Sequence, residues 1–298
     1  MDIVLYHGGG CADGFCSAWL AHKVWPDAEY LPCNYGDALP NVAGKDVLIV
    51  DFSYPREVLT MLAVSAKSLT LLDHHKTAEA DLQGFMEECH KLYGSHVNVV
   101  FDMEKSGARL MWDYLCEREL LLHGLTLKPY EAEHPINVVR YVEDRDLWKW
   151  KLPNSREVNA AIRSYDFDFK TWDRFEYLDR VLMAEQGRAI LRYQDQIVAS
   201  HLKHAREIEF CGHKVLCANA TSLISEIAGA LAQDRAFGMV YFDRQDGLRQ
   251  FSLRSREGGV DVSEIAQRFG GGGHRNAAGF AWDTRVGLRP SDEDRVGP

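Results

Sequence analysis

The sequence predicts an α/β protein: a doubly wound, mostly parallel sheet, then a helical connector, then a smaller α/β domain. Three observations carry this. Residues 46–52 (DVLIVDF) are apolar at nearly every position, as suits a strand covered on both faces. Similar runs at 2–7 (DIVLYH), 68–75 (SLTLLDHH) and 97–102 (VNVVFD) alternate with stretches of helical period, the pattern of βαβ units with right-handed crossovers. Past Pro153 the pattern becomes mostly helical, and strand-like runs return only after about residue 205.

In chain order, the first strand (2–7) passes through Gly8-Gly9-Gly10 into a helix from Ala12 to Trp25, with Phe15, Ala18, Trp19, Ala21 and Val24 as its apolar positions. Residues 28–35 read as the second strand and 46–52 as the third. A helix from Pro55 to about Ala66 precedes the fourth strand, 68–75, and a single helix from Thr77 to Leu92 leads to the fifth, 97–102. Ser106 opens an amphipathic helix that reaches Arg118. Another helix, Glu131 to Tyr141, ends at VEDRDLWKW (142–150), where Trp148 and Trp150 read as packing at a domain junction; lining a nucleotide cleft is the alternative for Trp148. The aromatics Tyr165, Phe167, Phe169, Trp172, Phe175 and Tyr177 suit a helical core better than a base-stacking platform. Asp179 to Arg206 reads as a long connecting helix. A hairpin follows at 207–220, turning at Cys211-Gly212, then a helix at 222–234, strands at 237–243 and 248–255, and a short helix from Ser263 to Phe269 that leads into GGGGHRNAAGF (270–280). From about Trp282 onward the chain reads as a frayed polar tail. The expected domains are therefore 1–150, a connector at 151–205, a second domain at 206–285, and a tail at 286–298.

The bulk properties narrow the function. A chain of 298 residues has room for two ordinary domains. Its 46% apolar and 26% charged residues are the proportions of a soluble globular protein. No run of about 18 apolar residues occurs, so no membrane span is expected, and the N-terminus lacks the basic and apolar regions of a signal peptide. Seven cysteines, an odd number without a CxxC pair, suit reduced thiols and a cytoplasmic location. The net charge of -10 argues against a broad electrostatic grip on long nucleic acid. A short anionic substrate held by a local cluster of metal ions and arginines is compatible with it. The oligomeric state is left open, a homo-oligomer included.

What singles this chain out is the chemistry at its strand ends. The first strand ends at His7, with Cys11 and Asp13 just beyond; the third ends at Asp51, and the fourth at Asp73-His74-His75. The helix from Glu131 runs into Asp144 and Asp146. In open α/β sheets ligands bind at the carboxyl ends of the strands, so these groups are expected at one edge. Singly each has a structural reading: Asp13 as a helix cap, Asp51 as a turn former, His7 as a satisfied core imidazole. Jointly, acidic and imidazole groups that repeatedly end apolar strands have the composition of a two-metal site. Such a site holds ions ~3.5–4 Å apart with a bridging carboxylate and further oxygen and nitrogen ligands. These ligands suit Mn²⁺, with Mg²⁺ or Co²⁺ as alternatives, over a closed thiolate zinc site. Farther along, Gly270 to Gly273 would let the backbone approach an anion. His274, Arg275, Arg254 and Ser255 accompany them, and a guanidinium fork matches a terminal phosphate or a base edge. Ser106-Gly107-Ala108 reads as a helix start, with amides near the metal edge as the alternative.

The set HGGGCADGF (7–15), VDF (50–52), LLDHHKT (71–77) and GGGGHRNAAGF (270–280) resembles the DHH phosphoesterase superfamily, in particular its RecJ-like and nano-RNase-type phosphodiesterases. The last motif is similar to that of the DHH-associated C-terminal domain. The resemblance runs from residue 7 to about 280, and the combination is far more specific than either end alone. It implies that His7, the residue at 11 and Asp51 ligate one ion. Asp13, Asp51, His74 and an aspartate of EDRD would hold the second, Asp144 in preference to Asp146, with Asp51 bridging. It implies that Asp73 orients its neighbours, that His75 faces the substrate phosphate as hydrogen-bond or proton donor, and that Gly271, Gly272, Gly273, His274 and Arg275 grip substrate with Arg254 and Ser255. The chain departs from the pattern at Cys11, where many members carry aspartate. A thiolate is softer and bridges hard ions poorly. Metal choice would then shift, or the first position would fill only with substrate, or Cys11 would stay unligated.

The resulting expectation is a two-domain metallophosphoesterase with its site in the interdomain cleft. It would cleave dinucleotides or short oligonucleotides, such as pGpG, to mononucleotides through a metal-activated hydroxide, the second domain limiting substrate length. The rivals are a single-strand exonuclease, a cyclic-dinucleotide hydrolase and an exopolyphosphatase-like enzyme. The first would need a basic channel, and this chain has no long Lys/Arg stripe. From another class, Cys11 raises a nucleotide-binding sensor with weakened catalysis.

Overall fold

The structure, a computed structural model, describes residues 1–34, 37–94, 96–118, 120 and 136–283. The chain divides into two compact units, Met1–Leu191 and Arg192–Pro298.

The first unit is built on β1 (Ile3–His7), α1 (Ala12–Val24), β2 (Glu29–Cys33), β3 (Asp46–Val50), α2 (Arg56–Ser65), β4 (Ser68–Asp73), α3 (Lys76–Asp81), α4 (Phe85–Tyr93), β5 (Val97–Phe101) and α5 (Gly107–Glu117). Its five strands are all parallel, in the order β2-β1-β3-β4-β5. The strands are apolar throughout because both faces are covered. Val4, Leu48, Val50 and Leu72 enter one core with Phe15, Trp19, Met111 and Trp112. Their alternate neighbours Ile3, Leu5, Val47, Ile49, Leu69 and Leu71 enter another with Leu59, Leu62, Phe85 and Cys89. The order reverses between β1 and β3, and such a switch point leaves a crevice at the carboxyl ends of those two strands.

The expected single helix over 77–92 is two helices. Gly84 takes a left-handed conformation (φ 74), through which an α-helix does not continue. Beyond α5, the described chain resumes with α6 (Asn137–Asp146), which extends past Tyr141 through the whole EDRD segment; the expected start at Glu131 lies outside the described residues. Then come α7 (Ser155–Ile162), α8 (Phe169–Trp172), a 3₁₀ turn (Asp173–Tyr177) and the long α9 (Arg180–His204).

Much of the segment read as a connector belongs to the first unit. Val158, Ile162, Trp172 and Phe175 are buried in the core formed with Phe15 and Trp19. The Phe15 ring stacks on Phe167 and Phe169 at centroid distances of 5.4 and 5.3 Å, whereas Tyr177 is exposed. A Cβ on Gly187 would lie 1.8 Å from the Glu157 carbonyl oxygen, so α9 sits against α7 at a distance only glycine permits. The division between the units falls inside α9.

The second unit contains β6 (Arg206–Phe210), β7 (His213–Asn219), α10 (Ile224–Leu231), β8 (Gly238–Asp243), β9 (Leu248–Arg254), α11 (Val262–Gln267), β10 (Gly272–His274) and β11 (Ala277–Asp283). The sheet order is β10-β11-β9-β8-β7-β6. Only β7 and β8 pair parallel, and α10 makes the crossover between them. Cys211 and Gly212 turn the β6–β7 hairpin with positive φ at both positions, 48° and 72°. β11 continues through Trp282 and Asp283, paired with Arg249 and Leu248, where a polar tail was expected to begin; residues 284–298 lie outside the described ones. All seven cysteines are free thiols. No described helix is long and apolar enough to cross a membrane.

Candidate metal centre

The site forms at the β1/β3 switch point. Asp51, immediately after β3, is buried and left-handed (φ 55), a conformation that costs a non-glycine residue about 1–2 kcal/mol. Its amide donates to the Leu72 carbonyl oxygen at 3.0 Å, which ties it to the end of β4. Its two carboxylate oxygens face different partners. Oδ1 lies 3.0 Å from His74 Nε2. Oδ2 lies 3.4 Å from Cys11 Sγ and 3.6 Å from His7 Nδ1.

Two glycines permit this convergence. A Cβ on Gly14 would stand 2.3 Å from the His7 carbonyl oxygen, so α1 can seat on the end of β1 only with glycine there. A Cβ on Gly107 would stand 2.5 Å from Asp51 Cβ, so the start of α5 can press on Asp51 only with glycine there. Cys11 precedes α1, its sulfur accepting from the Gly14 amide at 3.5 Å. Asp13 does not cap its own helix. It is buried, and its oxygens accept from the first amides of α5, Gly107 at 2.6 Å and Ala108 at 3.0 Å. Ser106-Gly107-Ala108 is thus a helix start whose amides also frame the site. Asp13 Oδ2 and Asp146 Oδ2 lie 3.6 and 3.5 Å from His74 Nε2. Asp146 Oδ2 is buried and makes no hydrogen bond with the described residues.

The preference for Asp144 over Asp146 is therefore corrected. Residues two apart on a helix face different ways. Asp144 is turned to the loop after α6, where its carboxylate accepts from the Lys151 and Leu152 amides at 2.9 and 3.3 Å. Asp146 joins Asp13 and His74 in one group of candidate ligand atoms, while His7, Cys11 and Asp51 form another. On β4, Asp73 accepts from the His74 amide at 2.8 Å and pairs with His75 Nδ1 at 2.7 Å, both through Oδ1. With Nδ1 so engaged, the orientation of the His75 ring is fixed by Asp73.

The electrostatics call for cations. Burial pushes Asp13 well above the ordinary carboxylate range, and the charges of Asp51 and Asp146 push it further. Asp146 is raised in the same way. Asp51 is held well below that range despite its burial, because His7 and His74 hydrogen-bond to it. Burial would lower His74, yet Asp51, Asp146 and Asp13 raise it to about 10. His7 is raised against the effect of its burial by Cys11 and Asp51. Burial and Asp51 push the Cys11 thiol up to about 11. The cluster thus gathers protons to offset crowded negative charge. Divalent ions would meet the same need and displace those protons. The donors fit such ions: oxygen and imidazole throughout, with one sulfur at Cys11.

In the second unit the expected substrate residues converge at the end of β9. Arg254 donates to Ser225 Oγ at 2.7 Å and to the Leu253 carbonyl at 2.8 Å. Asn276 Nδ2 donates to Ser255 Oγ at 2.8 Å, and that hydroxyl donates to the Val260 carbonyl. Arg275 reaches the Gly259 carbonyl at 3.2 Å and Asp261 at 3.4 Å. Gly272 and His274 lie in β10. A Cβ on Gly271 would meet the Gly279 carbonyl oxygen at 2.1 Å, and one on Gly273 (φ 137) the Ala277 oxygen at 2.5 Å. The close fit of this segment on β11 by itself requires glycine at both positions. Ser225 and Asn276 escaped the sequence reading, although Asn276 stands inside the quoted glycine-rich motif.

The first unit is a doubly wound domain with a carboxylate–imidazole cluster at its switch point, and residues 214–288 match the DHHA1 domain. That domain, with the DHH triplet at 73–75, is what the chain has in common with the DHH phosphoesterase superfamily it resembles. It is 29% identical over 326 residues to an uncharacterized protein of Acanthamoeba polyphaga mimivirus, an alignment that covers 98% of this chain and 70% of that protein. It is 26% identical over 221 residues to oligoribonuclease NrnB of Bacillus subtilis, covering 70% of this chain and only 51% of that protein. An exopolyphosphatase-related protein from Bacteroides fragilis shares the fold, with a TM-score of 0.54 at 12% identity, over 99% of this chain and 89% of that one.

A pH signature follows from the cluster. His74 is raised from 6.5 to about 10, so its contribution to stability is complete below pH 6.5 and lost as pH rises through about 10. His7, raised as well, acts in the same direction. With EDTA present, Tm should fall between pH 6.5 and 10; with Mn²⁺ the fall should flatten or reverse, because ligands bind metal when deprotonated. Identical Tm profiles with and without metal would contradict the centre.

Proposed function

We propose that this chain is a metal-dependent phosphodiesterase that hydrolyses dinucleotides or short oligonucleotides, such as pGpG, to mononucleotides, with Mn²⁺ as its preferred ion. The observation that carries this reading is Asp51, whose two oxygens address separate ligand groups as a bridging carboxylate must. His7, Cys11 and Asp51 would hold one ion; Asp13, Asp51, His74 and Asp146 would hold the other. When bound, such ions supply a nucleophile at neutral pH and neutralise charge on the phosphate.

The remaining work falls to the chain's own residues. The α5 amides and the left-handed turn at Asp51 set the ligands before substrate arrives, which spares reorganisation in the reaction. Asp73 holds and orients His75 by Nδ1, and His75 would donate to the phosphate or to the departing oxygen. Arg254, Ser255, Gly271, Gly272, Gly273, His274 and Arg275 would bind the distal part of the substrate. The net charge of -10 and the similarity to an oligoribonuclease support short substrates over long ones.

Purified protein with Mn²⁺ should cleave pGpG much faster than cyclic-di-GMP, a 20-mer RNA or polyphosphate, and Asp51→Asn should abolish the activity. A 20-mer degraded as fast as pGpG would reject the short-substrate reading. Asp146→Asn should lose one bound ion and about 10²-fold or more in kcat. Asp144→Asn should keep both ions and lose about 1–3 kcal/mol in urea unfolding; metal content measured on both variants separates the two aspartates. In the Co²⁺-loaded protein a thiolate-to-cobalt charge-transfer band should be present and should vanish in Cys11→Ser. Spectra that do not differ would leave Cys11 outside the coordination.

A further inference from the structure

Two residues beyond Asp146, the chain does something costly that the metal centre does not explain. Trp148 (φ 55) and Trp150 (φ 52) are both left-handed, a strained conformation in which a bulky side chain is an outlier. The turn is held by a dense set of bonds. The Trp148 amide donates to the Arg145 carbonyl at 2.9 Å, and the Lys149 and Trp150 amides donate to the Asp144 carbonyl at 2.8 and 3.3 Å. The next two amides, Lys151 and Leu152, close on the Asp144 carboxylate. Lys149 Nζ donates to the Glu104 carbonyl at 3.2 Å, which fastens the turn to the loop leading into α5, the helix whose first amides hold Asp13. Asp144 is buried, and its hydrogen bonds go to this turn and its surroundings.

What this scaffold presents is an indole. Trp148 is 48% exposed. Its ring is supported by Trp150, edge to face, with centroids 5.0 Å apart and planes at 71°. The Arg156 guanidinium in turn lies 5.1 Å from the Trp150 ring centroid. A packing tryptophan would be buried; one braced from behind, on strained backbone, beside a proposed metal ligand, has the properties of a recognition surface. Nucleobases suit it, because every base offers a π-face to an aromatic ring regardless of sequence.

We propose that Trp148 is the stacking platform for a base of the nucleotide substrate, and that Asp144 is the positioning residue that clamps the turn presenting it. This rests on the phosphodiesterase reading above. It assigns base recognition to the first unit, independent of the arginines of the second. Stacking of this kind is worth about 1–3 kcal/mol per base, roughly 5- to 150-fold in affinity.

The test compares pGpG with the same phosphodiester lacking both bases, in the wild type, Trp148→Ala and Trp148→Phe. In Trp148→Ala, KM for pGpG should rise about 10-fold or more with kcat nearly unchanged. KM for the base-free diester should stay as it is, and Trp148→Phe should recover most of the affinity. Indole fluorescence titrated with pGpG in Ca²⁺, which reads binding apart from turnover, should be quenched in the wild type and not in Trp148→Phe. Unchanged KM for pGpG in Trp148→Ala, or an equal rise for both diesters, would overturn the proposal while leaving the reaction intact. A wild type that binds pGpG with Trp148-dependent quenching yet cleaves neither diester would overturn the reaction and leave the platform standing.

Discussion

The first unit depends on the placement of one buried carboxylate between two imidazoles. Asp51 is buried because it directly follows a central strand covered on both faces, where bulk solvent does not reach it. It is stable only because His7 and His74 approach from neighbouring strand ends, 3.6 and 3.0 Å away. Those contacts are set by the parallel register that puts the ends of β1, β3 and β4 side by side. Asp13 and Asp146 then add negative charge that the imidazoles cannot balance alone. The fold therefore gathers more anionic groups than it can comfortably keep ionised. Bound cations would relieve that crowding, which is the physical basis for proposing a metal centre here.

Around that centre, the parts that look incidental are geometric conditions. Gly14 and Gly107 have no side chain because β1 and Asp51 occupy the space one would need. Ser106 and the amides after it begin a helix and also neutralise Asp13. Asp144 and Asp146, one turn apart in neither sense, divide the labour: one folds the following turn, the other faces His74. The end of α6 thus carries a candidate metal ligand, Asp146, and a clamp on the strained tryptophan turn, Asp144, two residues apart.

Much of this was legible because βα units write themselves in composition. The strands at 3–7, 46–50, 68–73 and 97–101 were visible as apolar runs, and the groups that end them were visible as breaks in those runs. Helix phase was less legible. Register alone favoured Asp144, since both aspartates sit in the same short acidic segment and only the packing of Tyr141 and Val142 in the core sets which one faces β4. The break at Gly84 was missed because a lone glycine within a helical pattern is often tolerated. The segment 151–205 reads as a connector because nothing local reveals that aromatics within it fill the core around Phe15 and Trp19.

By itself, then, the sequence determined the alternation of strands and helices, the inventory of metal-competent residues and their place at strand ends, because these follow from side-chain polarity read along one dimension. The tertiary structure alone decided that Asp51 faces two ways, that Asp146 and not Asp144 joins His74, and that Asp13 is held by the amides of a helix 94 residues away. Each of these is a distance between segments remote in sequence, set by strand register and close glycine contacts, and no local propensity encodes it. The Asp-His-His triplet at the end of β4 shows both halves: its residue types are read from the sequence, and the partner each one touches is set by its neighbours in space.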